Sequence, residues 1–111
     1  MNEIDNRREL FGFLHEETFT SARQAADIRG RMTEFAARWN YRLTKIYTEK
    51  PGRQPEAFEA LRAAVARDGA AVVVPTGDHL APYGTVPKIV EDLEQASGHP
   101  VLRSEPLEAR P

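Results

Sequence analysis

Two histidines beside carboxylates are the residues of this chain best suited to chemistry. Glu16 and Glu17 follow His15, and Asp78 precedes His79. An imidazole beside a carboxylate can act as a general base near neutral pH. Two imidazoles and a carboxylate can instead bind zinc, iron or nickel, which makes His15, His79 and Asp78 candidate metal ligands. The candidate catalytic set is therefore His15, Glu17, Asp78 and His79.

A simpler interpretation of the same residues is that they are solvated loop residues. The two histidines are far apart in the sequence, so no local spacing supports a metal site. No segment has the spacing of a dinucleotide-binding glycine loop, a phosphate-binding loop or a serine nucleophile elbow. We therefore expect no cofactor.

Composition narrows the class of protein. The chain has 111 residues, enough for one domain, and a formal net charge of -2 from 15 basic and 17 acidic side chains. That balance does not favour a nucleic-acid binder. Cysteine is absent, the first residues lack the apolar core of a signal peptide, and no apolar run approaches the length of a bilayer span. These features predict a cytoplasmic protein without membrane contact.

The first half of the chain predicts a strand, a helix and a second strand. The apolar run at 10–14 favours a buried strand, and 41–49 is rich in β-branched and aromatic residues but alternates imperfectly. Ser21 and Gln24 have the spacing of a capping box. The interior Gly30 either makes a close contact with a strand or is simply tolerated. Apolar residues at steps of three and four predict a helix over 21–39 with Ala25, Ile28, Met32, Phe35, Ala36 and Trp39 on its stripe.

The second half continues the alternation. Pro55 suits the first turn of a helix that Gly69 ends, and 70–76 is a strand that is apolar on both faces. Thr85 is placed to cap a third helix that ends at Gly98, and 99–104 is an edge strand. We divide the chain into a polar lead-in (1–8), a single α/β domain (9–104) and a flexible tail (105–111).

The order of elements predicts the fold class and the place of the site. Strands alternating with helices imply a three-layer α/β fold, an open and mostly parallel sheet of four strands with three helices. A flavodoxin-like strand order 2-1-3-4 would place a ligand crevice between the carboxyl ends of strands one and three. One of the two loops there carries His15, Glu16 and Glu17, and the other carries Asp78 and His79. If the strand order is right, these residues could converge within one crevice.

Three aromatic residues allow a second interpretation. Trp39, Tyr41 and Tyr47 could form a stacking platform for nucleic-acid bases. Trp39 also continues the apolar stripe of the first predicted helix, however. That position favours a core residue.

Several local patterns resemble the catalytic domain of serine recombinases, the resolvases and invertases. The stretch "FGFLHEE" resembles their first strand, and residues 46–82 look like their second strand, Arg-Pro loop, second helix and third strand. Tyr47-Thr48-Glu49 matches a Tyr-x-Asp/Glu pattern. Gln54-Pro55 falls on the Arg-Pro position and Asp78-His79-Leu80 on an Asp-Arg-Leu position. The resemblance implies a resolvase-like fold over about residues 10–103.

The same resemblance implies a degenerate member. The family attacks a DNA phosphodiester with a serine hydroxyl while arginines neutralise the phosphate. Here Glu17 stands at the serine position, His15 replaces the arginine of the first strand, and His79 and Pro82 replace two arginines after the third strand. Thr18 and Ser21 offer hydroxyls nearby, but neither is in register. We therefore do not expect recombinase activity.

Three hypotheses about function follow. The first is a non-catalytic resolvase-like domain that acts through a protein partner or through self-association. Self-association is expected because the absence of a fifth strand or helix would leave apolar positions facing water. The second is a small enzyme or metal-binding protein with a site around His15, Glu17, Asp78 and His79. The third is a DNA-associated accessory protein, which the acidic net charge disfavours.

Overall fold

The computed structural model describes residues 7–18 and 21–105. All strand pairs are parallel, and the sheet order is β2-β1-β3-β4. The predicted α/β class, the strand order 2-1-3-4 and the three helices are thus confirmed. The strands are β1 (Arg8–His15), β2 (Tyr41–Glu49), β3 (Ala71–Val74) and β4 (Val101–Arg103), and the helices are α1 (Ala22–Arg38), α2 (Glu56–Asp68) and α3 (Val86–Ser97).

The central strand β1 supplies both halves of the core. Its residues alternate between the two faces of the sheet, as the pleat requires. Phe11 and Phe13 pack with apolar residues of α2 and α3 on one face. Leu10 and Leu14 pack with α1 on the other. Two helices therefore cover one face of the sheet, whereas one helix covers the other.

The imperfect alternation of β2 reflects a shift in its pairing with β1. Leu10 pairs with Leu43, but the next residue, Phe11, pairs with Lys45. Thr44 is thus the extra residue of a bulge, and its hydroxyl donates to the Glu9 carboxylate at 2.8 Å. The side chains of β2 change face at this point, which a regular strand pattern cannot show.

The predicted helix ends are confirmed at Ser21, Gly69 and Gly98 but differ in detail at Pro55 and Thr85. The Ser21 hydroxyl accepts a hydrogen bond from the Gln24 backbone N–H at 3.1 Å. Left-handed residues follow α2 and α3 at Gly69 (φ 65°) and Gly98 (φ 76°). Pro55 lies just before α2 rather than within its first turn. Thr85 precedes α3, but its side chain makes no capping bond.

The predicted domain boundaries fall near both ends of the described residues. β1 begins at Arg8, one residue inside the predicted lead-in. At the other end, the Glu105 backbone N–H donates to the Pro75 carbonyl at 3.0 Å, and its carboxylate pairs with Arg31 at 2.7 Å. Residue 105 is therefore held against the domain. The remainder of the predicted lead-in and tail lies outside the described residues.

The prediction that Trp39 belongs to the core is wrong. Its side chain is 62% exposed, whereas Ala25, Ile28, Met32 and Ala36 of the same stripe are buried. Helix α1 ends at Arg38, and the backbone of Trp39 is no longer helical (φ -98°, ψ 12°). The periodicity that would have aimed Trp39 inward therefore stops one residue too early.

The structure also bears on membrane insertion. Of the helices in residues 7–18 and 21–105, none is long and apolar enough to cross a bilayer.

Two glycines provide opposite tests of this packing. Gly30 is exposed inside α1, and an added Cβ would meet nothing within 4 Å. At Gly12 an added Cβ would lie 2.6 Å from Met32 Cε and 3.1 Å from Ile46 Cγ1. We expect Gly30→Ala to raise the free energy of unfolding by about 0.5–1 kcal/mol because alanine is the better helix former. We expect Gly12→Ala to lower it by about 1–3 kcal/mol through overpacking.

Urea denaturation of both variants beside the wild-type chain measures these changes. If Gly30→Ala lowered the free energy of unfolding, a Cβ at this position would have to meet a neighbouring atom. The interpretation of Gly30 as a tolerated glycine would then be wrong.

Candidate functional site

The carboxyl ends of β1 and β3 bring the two histidines together. His15 is the last residue of β1, and His79 ends a short 3-10 turn, Gly77–His79, that follows β3. Both side chains are buried, at 0% and 3% exposure. The His15 backbone N–H donates to His79 Nδ1 at 2.9 Å. The two loops thus meet at the crevice that the strand order predicted.

The two candidate carboxylates do not enter the crevice. Glu17 and Asp78 are exposed. Glu17 contributes its backbone instead, because its N–H donates to His15 Nδ1 at 3.3 Å. The solvated-loop interpretation therefore holds for Glu17 and Asp78 but not for the histidines.

The hydrogen bonds of His79 determine where its ring proton lies. Nδ1 accepts from a backbone N–H, which leaves the proton of the neutral ring on Nε2. The Thr18 hydroxyl oxygen lies 3.1 Å from Nε2 and 3.2 Å from Nδ1. The Thr18 hydroxyl proton is directed to the His15 carbonyl at 2.8 Å. The nearly equal distances to the two ring nitrogens place the hydroxyl oxygen beside the ring and out of line with either nitrogen. A base must accept the proton of its nucleophile, and neither nitrogen of His79 is aimed to accept this one.

The electrostatics of the crevice keep His79 neutral. Burial lowers the pKa of the His79 imidazole, the neighbouring His15 lowers it further, and Asp78 opposes the shift. The pKa of His79 falls from 6.5 to about 4. At neutral pH this ring therefore carries no positive charge with which to neutralise a phosphate.

His15 is occupied on both ring nitrogens. Its Nε2 lies 2.7 Å from the Gln54 side-chain oxygen, and its Nδ1 accepts from the Glu17 N–H. Since Nδ1 is an acceptor, Nε2 carries the proton that donates to Gln54. A metal needs an imidazole lone pair, and the Nδ1 lone pairs of both histidines already accept backbone hydrogens. Across residues 7–18 and 21–105, no three His, Cys, Asp or Glu side chains are placed to hold a metal ion together.

A third buried ionisable residue, Glu49, was not among the predicted site residues. Its side chain is fully buried at the end of β2. The carboxylate accepts from the backbone N–H groups of Ala57 (3.0 Å) and Phe58 (3.1 Å) and from the Tyr83 hydroxyl (2.7 Å). Glu49 therefore caps the first turn of α2, where Pro55 offers no side-chain acceptor.

These bonds also decide the charge of Glu49. Burial by itself raises the pKa of this carboxyl. The hydrogen bonds from Ala57, Tyr83 and Phe58, together with His15, outweigh that effect and leave the pKa below its usual value. Burial and the bond to Glu49 raise the pKa of the Tyr83 hydroxyl well above its usual range. Glu49 is thus a charged carboxylate, and Tyr83 is its neutral donor.

Aromatic packing joins the two parts of the crevice. The Tyr83 ring stacks on Phe58 with centroids 4.1 Å apart and lies 5.9 Å from the His15 ring. We call the resulting group the crevice cluster. It consists of His15, Thr18, Glu49, Gln54, His79 and Tyr83.

The sequence contained a signal for Glu49, because Tyr47-Thr48-Glu49 matches the Tyr-x-Asp/Glu pattern of the resemblance. Glu49 also ends a strand shortly before a helix whose cap position is a proline, which makes no side-chain capping bond. The resemblance had singled out Gln54 through the Arg-Pro position and had named Thr18 only as a hydroxyl out of register. No local pattern distinguished Tyr83, because its partner lies on another element.

The Glu49 cap predicts a stability change. Glu49→Gln replaces a carboxylate oxygen with an amide NH₂ that would face backbone and hydroxyl donors. We expect the free energy of unfolding to fall by about 2 kcal/mol because buried donors lose their acceptor. Urea denaturation at pH 7 measures it.

The matched control is Glu56→Gln, an exposed acid in the first turn of the same helix. It should change the stability by less than about 0.5 kcal/mol. Equal effects of the two substitutions would remove the structural role of Glu49.

The pKa of His79 predicts a pH dependence of stability. Its pKa in the folded chain, about 4, lies below the ordinary value of 6.5, so folding favours the neutral ring. The stabilisation is fully present above pH 6.5 and is lost as the pH falls toward 4. The loss could reach about 3 kcal/mol. We would measure it from urea denaturation midpoints at several pH values between neutrality and the folded-state pKa.

The control variant for the pH series is His79→Asn. The side-chain oxygen of the introduced asparagine can replace Nδ1 as the acceptor from His15, but the amide does not titrate. The decline in stability below neutral pH should be shallower in this variant. An unchanged slope would show that the His79 ring does not cause the decline.

Comparison with known proteins relates the scaffold to a known fold. No protein-family model matches the chain, and no curated protein matches it. The structure is similar to the C-terminal catalytic domain of ISC1926 TnpA, an IS607-like serine recombinase, with a TM-score of 0.64. The match has 15% sequence identity and covers 93% of this chain and 70% of that one. At this identity the shared property is the fold, and we conclude that the chain has the resolvase-like fold that its motifs suggested.

Proposed function

We propose that this protein is a non-catalytic resolvase-like domain that acts through protein contacts. The observation that carries the proposal is the hydrogen bond from the His15 N–H to His79 Nδ1, at 2.9 Å. This bond gives the His79 imidazole, which lies beside the Thr18 hydroxyl, a structural role. The crevice then serves to join strands and loops rather than to bind a substrate.

The charges around the crevice support the same proposal. Stabilising a phosphoryl transition state requires cationic groups at the reacting phosphate. His15 and His79 stand where the resemblance implies arginines, and both have their ring nitrogens engaged within the crevice cluster. Glu17, at the serine position, is exposed and would repel a phosphate.

The metal and small-enzyme alternatives have less support. Only two of the four predicted residues, His15 and His79, come together, because the side chains of Glu17 and Asp78 are exposed. A zinc or nickel ion would have to break a backbone hydrogen bond to reach either Nδ1. We expect neither metal to raise the melting temperature of the chain.

Covalent capture of DNA tests the proposal directly. The full chain is incubated with supercoiled plasmid and with linear duplex DNA, stopped in detergent and examined for a protein–DNA adduct, with an active serine recombinase in parallel. We expect no adduct from this chain. The Thr18 hydroxyl donates its proton to the His15 carbonyl, and in the part of the chain that the structure describes no base is placed to accept that proton. An adduct that disappears in Thr18→Ala or Ser21→Ala would overturn the proposal.

Gel shifts of the same DNA at increasing salt test the accessory alternative. Binding through phosphates weakens steeply with salt. We expect no shift at low salt, in keeping with the net charge of -2. A salt-sensitive shift without an adduct would favour the DNA-associated role over protein contacts.

A further inference from the structure

The two faces of the sheet are covered unequally. Helices α2 and α3 cover one face, whereas α1 alone covers the other. Between the end of α1 and the edge strand β4 lies a groove of about 470 Å³. We call it the Trp39 groove. Its apolar lining is formed by Phe35, Trp39, Tyr41, Val101 and Leu102.

The exposure of Trp39 marks this groove as an uncovered surface. Trp39 is the single tryptophan of the chain and is 62% exposed, while the Phe35 ring lies 6.3 Å away. Tyr47 cannot join them in a stacking platform, because it packs on the opposite face of the sheet from Tyr41. An apolar patch of this kind beside a single covering helix is typical of a contact surface for another protein.

The charges at the rim carry both signs. Glu34 and Arg38 are exposed one turn apart on α1 and line the adjoining part of the surface. Within residues 7–18 and 21–105, neither side chain forms a salt bridge. Arg31 is already paired with Glu105. Arg103 lines the groove and Arg7 and Arg8 lie beside Trp39, but Glu34 and Glu105 interrupt this basic rim and would repel phosphates. A two-fold contact instead requires a surface that is complementary to itself, which exposed groups of both signs allow.

We propose that the Trp39 groove is occupied by a second copy of this chain, with the two α1 helices packed antiparallel about a two-fold axis. An axis on the exposed side of α1, halfway between Glu34 and Arg38 along the helix, places Glu34 of each copy opposite Arg38 of the other. It also brings each Trp39 toward the Phe35 side of its partner. The second helix supplies the cover that one face of the sheet lacks. This inference rests on the proposed function, since it identifies the surface and the partner of the protein contact.

Sedimentation of the full chain and the emission of Trp39 test the association. We expect a dimer at high concentration and a monomer on dilution. The tryptophan emission should shift to longer wavelength along the same dilution series because Trp39 returns to water. A chain that stays monomeric at millimolar concentration would overturn the proposal.

A charge exchange tests the geometry. Glu34→Arg alone and Arg38→Glu alone place like charges opposite each other twice in the dimer. Each should weaken the dimerisation constant roughly tenfold. The double variant, Glu34→Arg with Arg38→Glu, should return it to within about threefold of the wild-type value.

The matched control is Arg62→Glu, a charge change at an exposed position of α2 on the other face of the sheet. It should leave the dimer unchanged, while Trp39→Ala should dissociate it with little loss of stability because the side chain is largely exposed. If neither the charge exchange nor Trp39→Ala changes the dimerisation constant, the dimer uses another surface and the proposal is wrong.

The other occupants are distinguished by titration of the monomer at low concentration. The titrants are a single-stranded oligonucleotide, a synthetic peptide with leucine between glutamates, and more of the protein itself. The proposal is overturned if the oligonucleotide or the peptide shifts the Trp39 emission and additional protein does not. A DNA adduct would instead contradict the proposed function. Absence of an adduct from a monomeric chain would leave the non-catalytic assignment in place and remove only this surface.

Discussion

The hydrogen-bonding requirement of one buried backbone group governs the rest of the crevice. The His15 N–H lies at the buried end of a central strand, where an unpaired donor would cost about 1–3 kcal/mol. The His79 ring satisfies it from the loop after β3. That bond holds the two loops together, fixes the ring proton on Nε2 and makes a charged His79 costly. The same structural need leaves the Nδ1 lone pair of His79 unavailable to accept a proton from a substrate or a hydroxyl.

Glu49 meets a similar requirement on the neighbouring strand. The first turn of α2 presents free N–H groups, and a proline at the cap position leaves them without a local acceptor. A buried carboxylate at the end of β2 fills this role and is kept charged by three hydrogen bonds. The cluster therefore contains an ionised carboxylate that serves packing and helix capping. Ionisable residues at the carboxyl edge of a parallel sheet need not be catalytic.

The similarity to a serine recombinase domain concerns the fold, and the fold and the catalytic groups depend on different residues. Sheet order and helix placement depend on apolar alternation, helix caps and crossover handedness, which many sequences can satisfy. Phosphoryl chemistry depends on a few hydroxyl and guanidinium groups at fixed points. A chain can change those few groups and keep the scaffold. The groove beside α1 likewise concerns what packs on the scaffold rather than the scaffold itself.

By itself the sequence determined the order of elements and favoured a parallel sheet, because periodicity is local and the crossover rule limits how successive strands connect. The meeting of His15 with His79 followed only if the strand order was 2-1-3-4, which the tertiary structure decided. The ends of α2 and α3 at Gly69 and Gly98 were also readable, since a left-handed cap is a property of one residue. Only the tertiary structure decided the burial of Glu49, the direction of the Thr18 and His79 protons, and the exposure of Trp39. Each of these depends on a partner from a distant element, or on the single residue at which a helix ends. No local pattern carries that information.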